Sequence, residues 1–171
     1  LNTAIGRSAL AGNTTANENT AIGSFALTSN TTGGYKTANG SNALLNNTTG
    51  SGNTALGSNA LQTSSISDNN TAVGINALNS NTTGYANVSV GAYSLDFNTT
   101  GLANTALGYQ ALRKNTAGIA NVAVGQALLE NTFGNFNIAL GGGALQNNTI
   151  GNNNVAIGRD AMPFNISGNS N

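Results

Sequence analysis

Cysteine, histidine and tryptophan are absent from this chain, which holds one proline and one methionine. Without cysteine no disulfide forms, and cysteine usage carries no information about the redox compartment. Without histidine or cysteine, neither a Cys–His nor a Ser–His–Asp nucleophilic site can be built. Charge is scarce as well. Five basic residues face five acidic ones, and only 6% of the 171 residues are charged. Such a chain has no basic face with which to displace counterions from a nucleic acid or to settle on an anionic membrane. No apolar run reaches the roughly 18 residues of a spanning segment, so membrane insertion is not expected, and no secretory leader is read at Leu1. The acidic residues lie far apart along the chain. A calcium β-roll would place Asp in nearly every repeat, whereas only Asp68, Asp96 and Asp160 are available. Gly141-Gly142-Gly143 reads as a repeat glycine plus two variable positions, not a phosphate loop. No catalytic, cofactor-binding or metal-binding residue is therefore expected, and the chain is not read as an enzyme.

What is present is one unit repeated ten times: Asn-Thr-Ala-(Ile/Leu/Val)-Gly-x-x-Ala-Leu-x-x-Asn-Thr-Thr-Gly-x-x. Copies of this 17-residue unit start at Asn2, Asn19, Lys36, Asn53, Asn70, Asn87, Asn104, Asn121, Asn137 and Asn154, the eighth being one residue short. A fixed period this short predicts one coil of a solenoid per unit. Residues 1–171 read as a single all-β parallel β-solenoid of ten coils. Because the pattern runs to both ends, the array reads as a segment of a longer fibre.

The fifth position is Gly in all ten units, from Gly6 to Gly158. Such invariance among internal copies predicts positive φ or a close approach. The fifteenth is Gly in eight, with Ala16 and Ser67 the exceptions. The ninth is Leu in nine units and Met162 in the last; the fourth is aliphatic in nine, with Asn39 the outlier. These two columns read as the core. Strand alternation puts the second position, Thr or an aliphatic residue, on the same face as the fourth. The third and eighth, each Ala in nine units with Ser89 and Ser94 the exceptions, then point outward. Outward columns held small suggest that something packs on them, most simply another copy of the chain; a tight corner that admits only Ala is the alternative. Asn fills the first position in nine units and the twelfth in nine. Stacked at roughly 4.8 Å, each column would form an amide ladder. The Ser64-Ser65-Ile66-Ser67 variant of the fourth unit and the short eighth unit each predict a local bulge or shortened corner without loss of register in the Leu column.

The strings Asn154-Val155-Ala156-Ile157-Gly158 and Asn121-Val122-Ala123-Val124-Gly125, with the following x-x-Ala, resemble the head repeats of trimeric autotransporter adhesins. Asn-Thr-Ala-Leu-Gly-x-x-Ala-Leu strings are similar to stalk repeats that precede chaperone-of-endosialidase domains in phage tail fibres and related bacterial surface fibres. The resemblance covers all ten units. It implies a left-handed parallel β-roll, three chains wound side by side, and a role in attachment or spacing at a surface. This chain has a longer period and an Asn-Thr-Thr-Gly insert in each unit, and no binding residue carries over.

The leading expectation is thus a structural and adhesive segment of an extracellular fibre, on a cell surface or a virion tail. It would self-associate as a homotrimer and meet an unknown surface receptor or glycan. The aromatics, Phe25, Tyr35, Tyr85, Tyr93, Phe97, Tyr109, Phe133, Phe136 and Phe164, read as packing over corners or chain edges, or as a stripe that binds glycans. One alternative function is an ice-binding solenoid that uses the Thr ladder of the thirteenth position, against which count the second position, mixed Thr and Val and read as inward, and the lack of an outward Thr-x-Thr pair. The other is a self-assembling sheath or matrix filament joined end to end through exposed strand edges.

Overall fold

A computed structural model describes residues 1–171. Every unit contributes one three-residue strand at its second to fourth positions. In order these are β1 (Thr3–Ile5), β2 (Thr20–Ile22), β3 (Thr37–Asn39), β4 (Thr54–Leu56), β5 (Thr71–Val73), β6 (Val88–Val90), β7 (Thr105–Leu107), β8 (Val122–Val124), β9 (Ile138–Leu140) and β10 (Val155–Ile157). They form one ten-stranded parallel sheet in sequence order, each strand beside its successor. Equivalent residues pair directly, as in Ala21 with Ala38 and Ala106 with Ala123. There is no helix. The chain is a β-solenoid, as the period predicts.

Most of the stacking lies outside the strands. Of 116 backbone hydrogen bonds, 98 belong to turns and loops, and many of these join a residue to its equivalent region one coil on. The Leu27 amide, for example, donates to the Ala43 carbonyl, and the Thr31 amide to that of Thr48. The Thr hydroxyls of the thirteenth column add a second layer, each donating to a carbonyl in the next coil, as Thr99 does to Thr116 at 3.0 Å.

The core follows the predicted leucines but reverses the predicted sheet face. Leu27 through Leu145 of the ninth column are fully buried. So are Ala21, Ala38, Ala55 and their equivalents in the third column, and Ala26, Ala43, Ala60 and theirs in the eighth. Together they form a single cluster of 24 buried residues. The second and fourth columns, expected inside, point outward: Ile5 is 61% exposed and Ile157 69%. The expectation that a second copy packs on the alanine rows is therefore overturned, and the third-column alanines are not at a tight corner either, since they lie in the strands. The reason is the thinness of the coil. The third and eighth positions meet across its interior, where the Ser89 hydroxyl donates to the Ser94 carbonyl at 2.8 Å. No side chain longer than Ala or Ser fills that gap in any coil.

The fifth-position glycines have φ between 115° and 148° in nine coils and 88° at Gly125. A Cβ on Gly40 would press on the carbonyl oxygen of Gly57, so positive φ and close approach both apply. The fifteenth-position glycines do not have positive φ. They are required by space alone, because a Cβ on Gly118 would press on the Asn115 amide oxygen and lie 2.5 Å from the Gly134 carbonyl. Unforeseen is the left-handed backbone at the leucine column itself, with φ from 49° at Leu95 to 54° at Leu10. That conformation costs roughly 1–2 kcal/mol per residue, and full burial of the leucine offsets it.

Both irregular units stay in register. Val122 pairs with Ile138 across the short eighth coil, and Leu128 remains fully buried. The missing residue is taken from the corner after Gly125, which lacks the left-handed residue that other coils have two positions after the glycine. In the fourth coil the amides of Ser65 and Ile66 make no bond to the next coil, although every other stacked coil makes the equivalent bond from its thirteenth position.

Candidate functional site

Two asparagine ladders line the coil interior. In the first column, from Asn53 onward, the Oδ1 of each Asn accepts from both the backbone amide and the Nδ2 of the next. Asn87 bonds Asn70 in this way at 2.9 and 3.1 Å, and Asn104 bonds Asn87 at 3.0 and 3.2 Å. In the twelfth column Asn98 Nδ2 donates to Asn81 Oδ1 at 2.9 Å, and Asn115 to Asn98 at 2.8 Å. In the regular coils each Nδ2 also donates to the carbonyl at the fifteenth position, for instance Asn115 to Gly118 at 3.1 Å. Every amide group in the regular coils is thereby satisfied without water. These ladders are structural and hold the rungs at one spacing, as the columns predict.

Lys36 breaks the first ladder. It stands where Asn should be, is 1% exposed, and its Nζ donates to the Oδ1 atoms of Asn30 and Asn47 in the twelfth column. Burial lowers its pKa from 10.5 to about 8, partly opposed by the charge of Asp68. Lysine offers no acceptor, so the buried amide of Asn53, whose equivalents bond the preceding Asn, finds none. Asn47 turns round to keep its oxygen on Nζ, and its Nδ2 donates forward to Ser64 Oγ at 3.2 Å. An Asn at 64 would point its own amide at that donor; the serine hydroxyl accepts instead and pairs with Ser67. Lys36, Ser64 and Ser67 thus form one compensated irregularity. The signal was visible as exceptions to the twelfth and fifteenth columns falling in the same unit, just as Ser89 and Ser94 share the sixth.

The acidic residues do not converge. No group of three potential metal-ligating side chains exists. Asp96 pairs with Arg113 at 3.6 Å and Lys114 with Glu130 at 2.7 Å. Burial raises the Asp96 pKa, with Arg113 opposing. Three aromatics lie against arginines, Phe97 beside Arg113 at 5.5 Å among them. Phe25 and Tyr93 lie half-buried under the guanidinium groups of Arg7 and Arg113, 5.1 and 5.6 Å away. Tyr93 also meets Tyr109 edge-on at 6.3 Å. By contrast Tyr35, Tyr85, Phe133, Phe136 and Phe164 stand open at 50% exposure or more. They form no continuous stripe.

The largest uncommitted feature is the outer face of the sheet. Its two rows are the second column (Thr20, Thr37, Thr54, Thr71, Val88 and so on) and the fourth (Ile22, Leu56, Val73, Val90, Leu107 and so on). No charged residue occurs in either row. Even in mid-array, flanked by rungs on both sides, Leu56, Val90, Leu107 and Val124 keep 36–38% exposure. The rows are roughly 6.6 Å apart and their rungs roughly 4.8 Å. The face is thus uncharged, with Thr at six of ten positions in one row and Asn39 the single polar residue of the other. Compared with protein-family models, curated proteins and solved structures, the chain matches none.

Proposed function

We propose that this chain is a structural and adhesive segment of an extracellular fibre, in which three copies pack side by side through the outer face of the sheet. The observation that carries the reading is the uncharged double row along all ten strands, aliphatic in the fourth column except at Asn39 and Thr or aliphatic in the second. The rigid ladders hold that row straight, and its burial against neighbours would add apolar stabilisation that the alanine-rich interior is poor in. The number three follows from the resemblance of the repeats; the face itself supports association. Light scattering in solution tests this: about three times the 17.0 kDa chain mass is expected, and Leu107→Lys with Val90→Lys should reduce it to one. A native monomer would overturn the fibre reading.

A second reading gains from the geometry. Thr20, Thr37, Thr54 and Thr71 lie on consecutive rungs of the outward face, a stacking that an ice-binding surface would use. The inward placement that counted against it does not hold. Thermal hysteresis at micromolar protein decides the matter, and native protein without hysteresis retires it.

A further inference from the structure

In an array of equivalent coils, a unique ligand site belongs where the equivalence fails. Two independent departures meet at one place. The eighth coil lacks a residue after Gly125, and the ninth carries no side chains at Gly142 and Gly143, positions that hold Tyr109 and Gln110 in the seventh coil and Arg159 and Asp160 in the tenth. Between them lies a notch of about 240 Å³. Its floor is glycine backbone: a Cβ added to Gly142 would meet nothing within 4 Å. Its walls are Gln126, Gln146, Arg159 and Asp160, with Leu129 the one apolar side chain.

The chemistry is that of a polyol site. Gln126 Nε2 is directed to Gln110 Oε1 at 3.2 Å, which leaves the Gln126 side-chain Oε1 to accept. The Asp160 carboxylate lies over Gly143, and Arg159 is 3.4 Å from it. Amide, carboxylate and guanidinium groups together offer donors and acceptors for adjacent hydroxyls, and the paired charges cancel, which favours a neutral ligand. Leu129 offers a surface for a C–H face. The volume falls below the roughly 300–1,000 Å³ of drug-sized pockets and suits one ring.

We propose that this notch binds a single neutral pyranose unit of a glycan. The proposal rests on the adhesive half of the reading above and makes it specific. Saturation-transfer NMR with the methyl pyranosides of glucose, galactose, mannose and N-acetylglucosamine tests it on the native chain. At least one should receive saturation, with millimolar affinity. Gly142→Tyr should abolish the signal by filling the notch, since that backbone lies outside the left-handed region and the space is empty. Inserting Ala between Gln126 and Ala127, which restores a full unit, should do the same. Gln126→Ala should weaken binding several-fold. Absence of transfer to native protein, or undiminished transfer in the folded Gly142→Tyr variant, overturns the proposal. Sugar binding is read whether or not the chain trimerises, so a trimer that binds no sugar defeats this site and leaves the fibre, while a monomer that binds sugar does the reverse.

Discussion

Coils five to ten and coils three to four are built from the same unit, yet their interiors solve the same problem differently. In the later coils every buried amide has its partner one rung away, with Asn70 through Asn171 forming an unbroken first-column ladder. In the earlier pair a lysine interrupts that ladder, an asparagine reverses, and two serines absorb the reversal. The comparison shows that the ladders have a direction, and that one side chain without an acceptor reorganises groups one coil away. Stability in such an array is close to a sum of units and their interfaces, so the irregular pair should be its weakest joint.

The largest effect should come from closing the space beside a regular ladder. Gly118→Ala would force a Cβ against the Asn115 amide and the Gly134 carbonyl, and about 3 kcal/mol or more of destabilisation is expected. Ser67→Ala, at the equivalent position of the irregular coil, should cost about 1 kcal/mol for its lost hydrogen bond. Chemical denaturation of the two variants checks this, and equal losses would mean that the two regions do not differ.

Alkaline pH should strengthen the irregular pair selectively. Lys36 has a folded pKa of about 8 against 10.5 unfolded. Below pH 8 both states hold the proton and the cost of burying the charge is fully felt. Between pH 8 and 10.5 the unfolded chain binds more protons, so stability rises with pH, by on the order of 3 kcal/mol. Unfolding free energies measured across that range should show the rise in native protein and not in Lys36→Asn.

At neutral pH Lys36→Asn should itself stabilise, by about 1–3 kcal/mol. It supplies the acceptor that the Asn53 amide lacks and frees Asn47 to rejoin Asn30. Hydrogen exchange should show the gain as slower exchange confined to the third and fourth coils; uniform slowing, or none, would separate Lys36 from the weak joint. The smallest effect belongs to the surface. Lys114→Ala, which removes the exposed pair with Glu130, should change stability by less than about 1 kcal/mol and should change it less as salt is added.

The period, the parallel stacking, the leucine column and both ladders were legible because each depends on recurrence, and recurrence is printed in the chain. So was the absence of material for nucleophilic catalysis by histidine or cysteine. The left-handed leucines were not legible, because a leucine kept for burial looks the same whatever its φ. Nor was the notch, since the short unit shows a missing residue but not that its neighbour's glycines leave the same space empty.

The sequence by itself determined that the second and fourth positions share one side of each strand and the third takes the other, because alternation along a strand leaves no choice. Which side is inside is a different matter, since alternation has no sign. Hydrophobicity favoured Ile, Leu and Val for the interior; the separation of the coil's two walls, a property of the closed backbone, admitted only Ala and Ser. Tertiary structure therefore decided that the second and fourth columns face outward and the alanines inward.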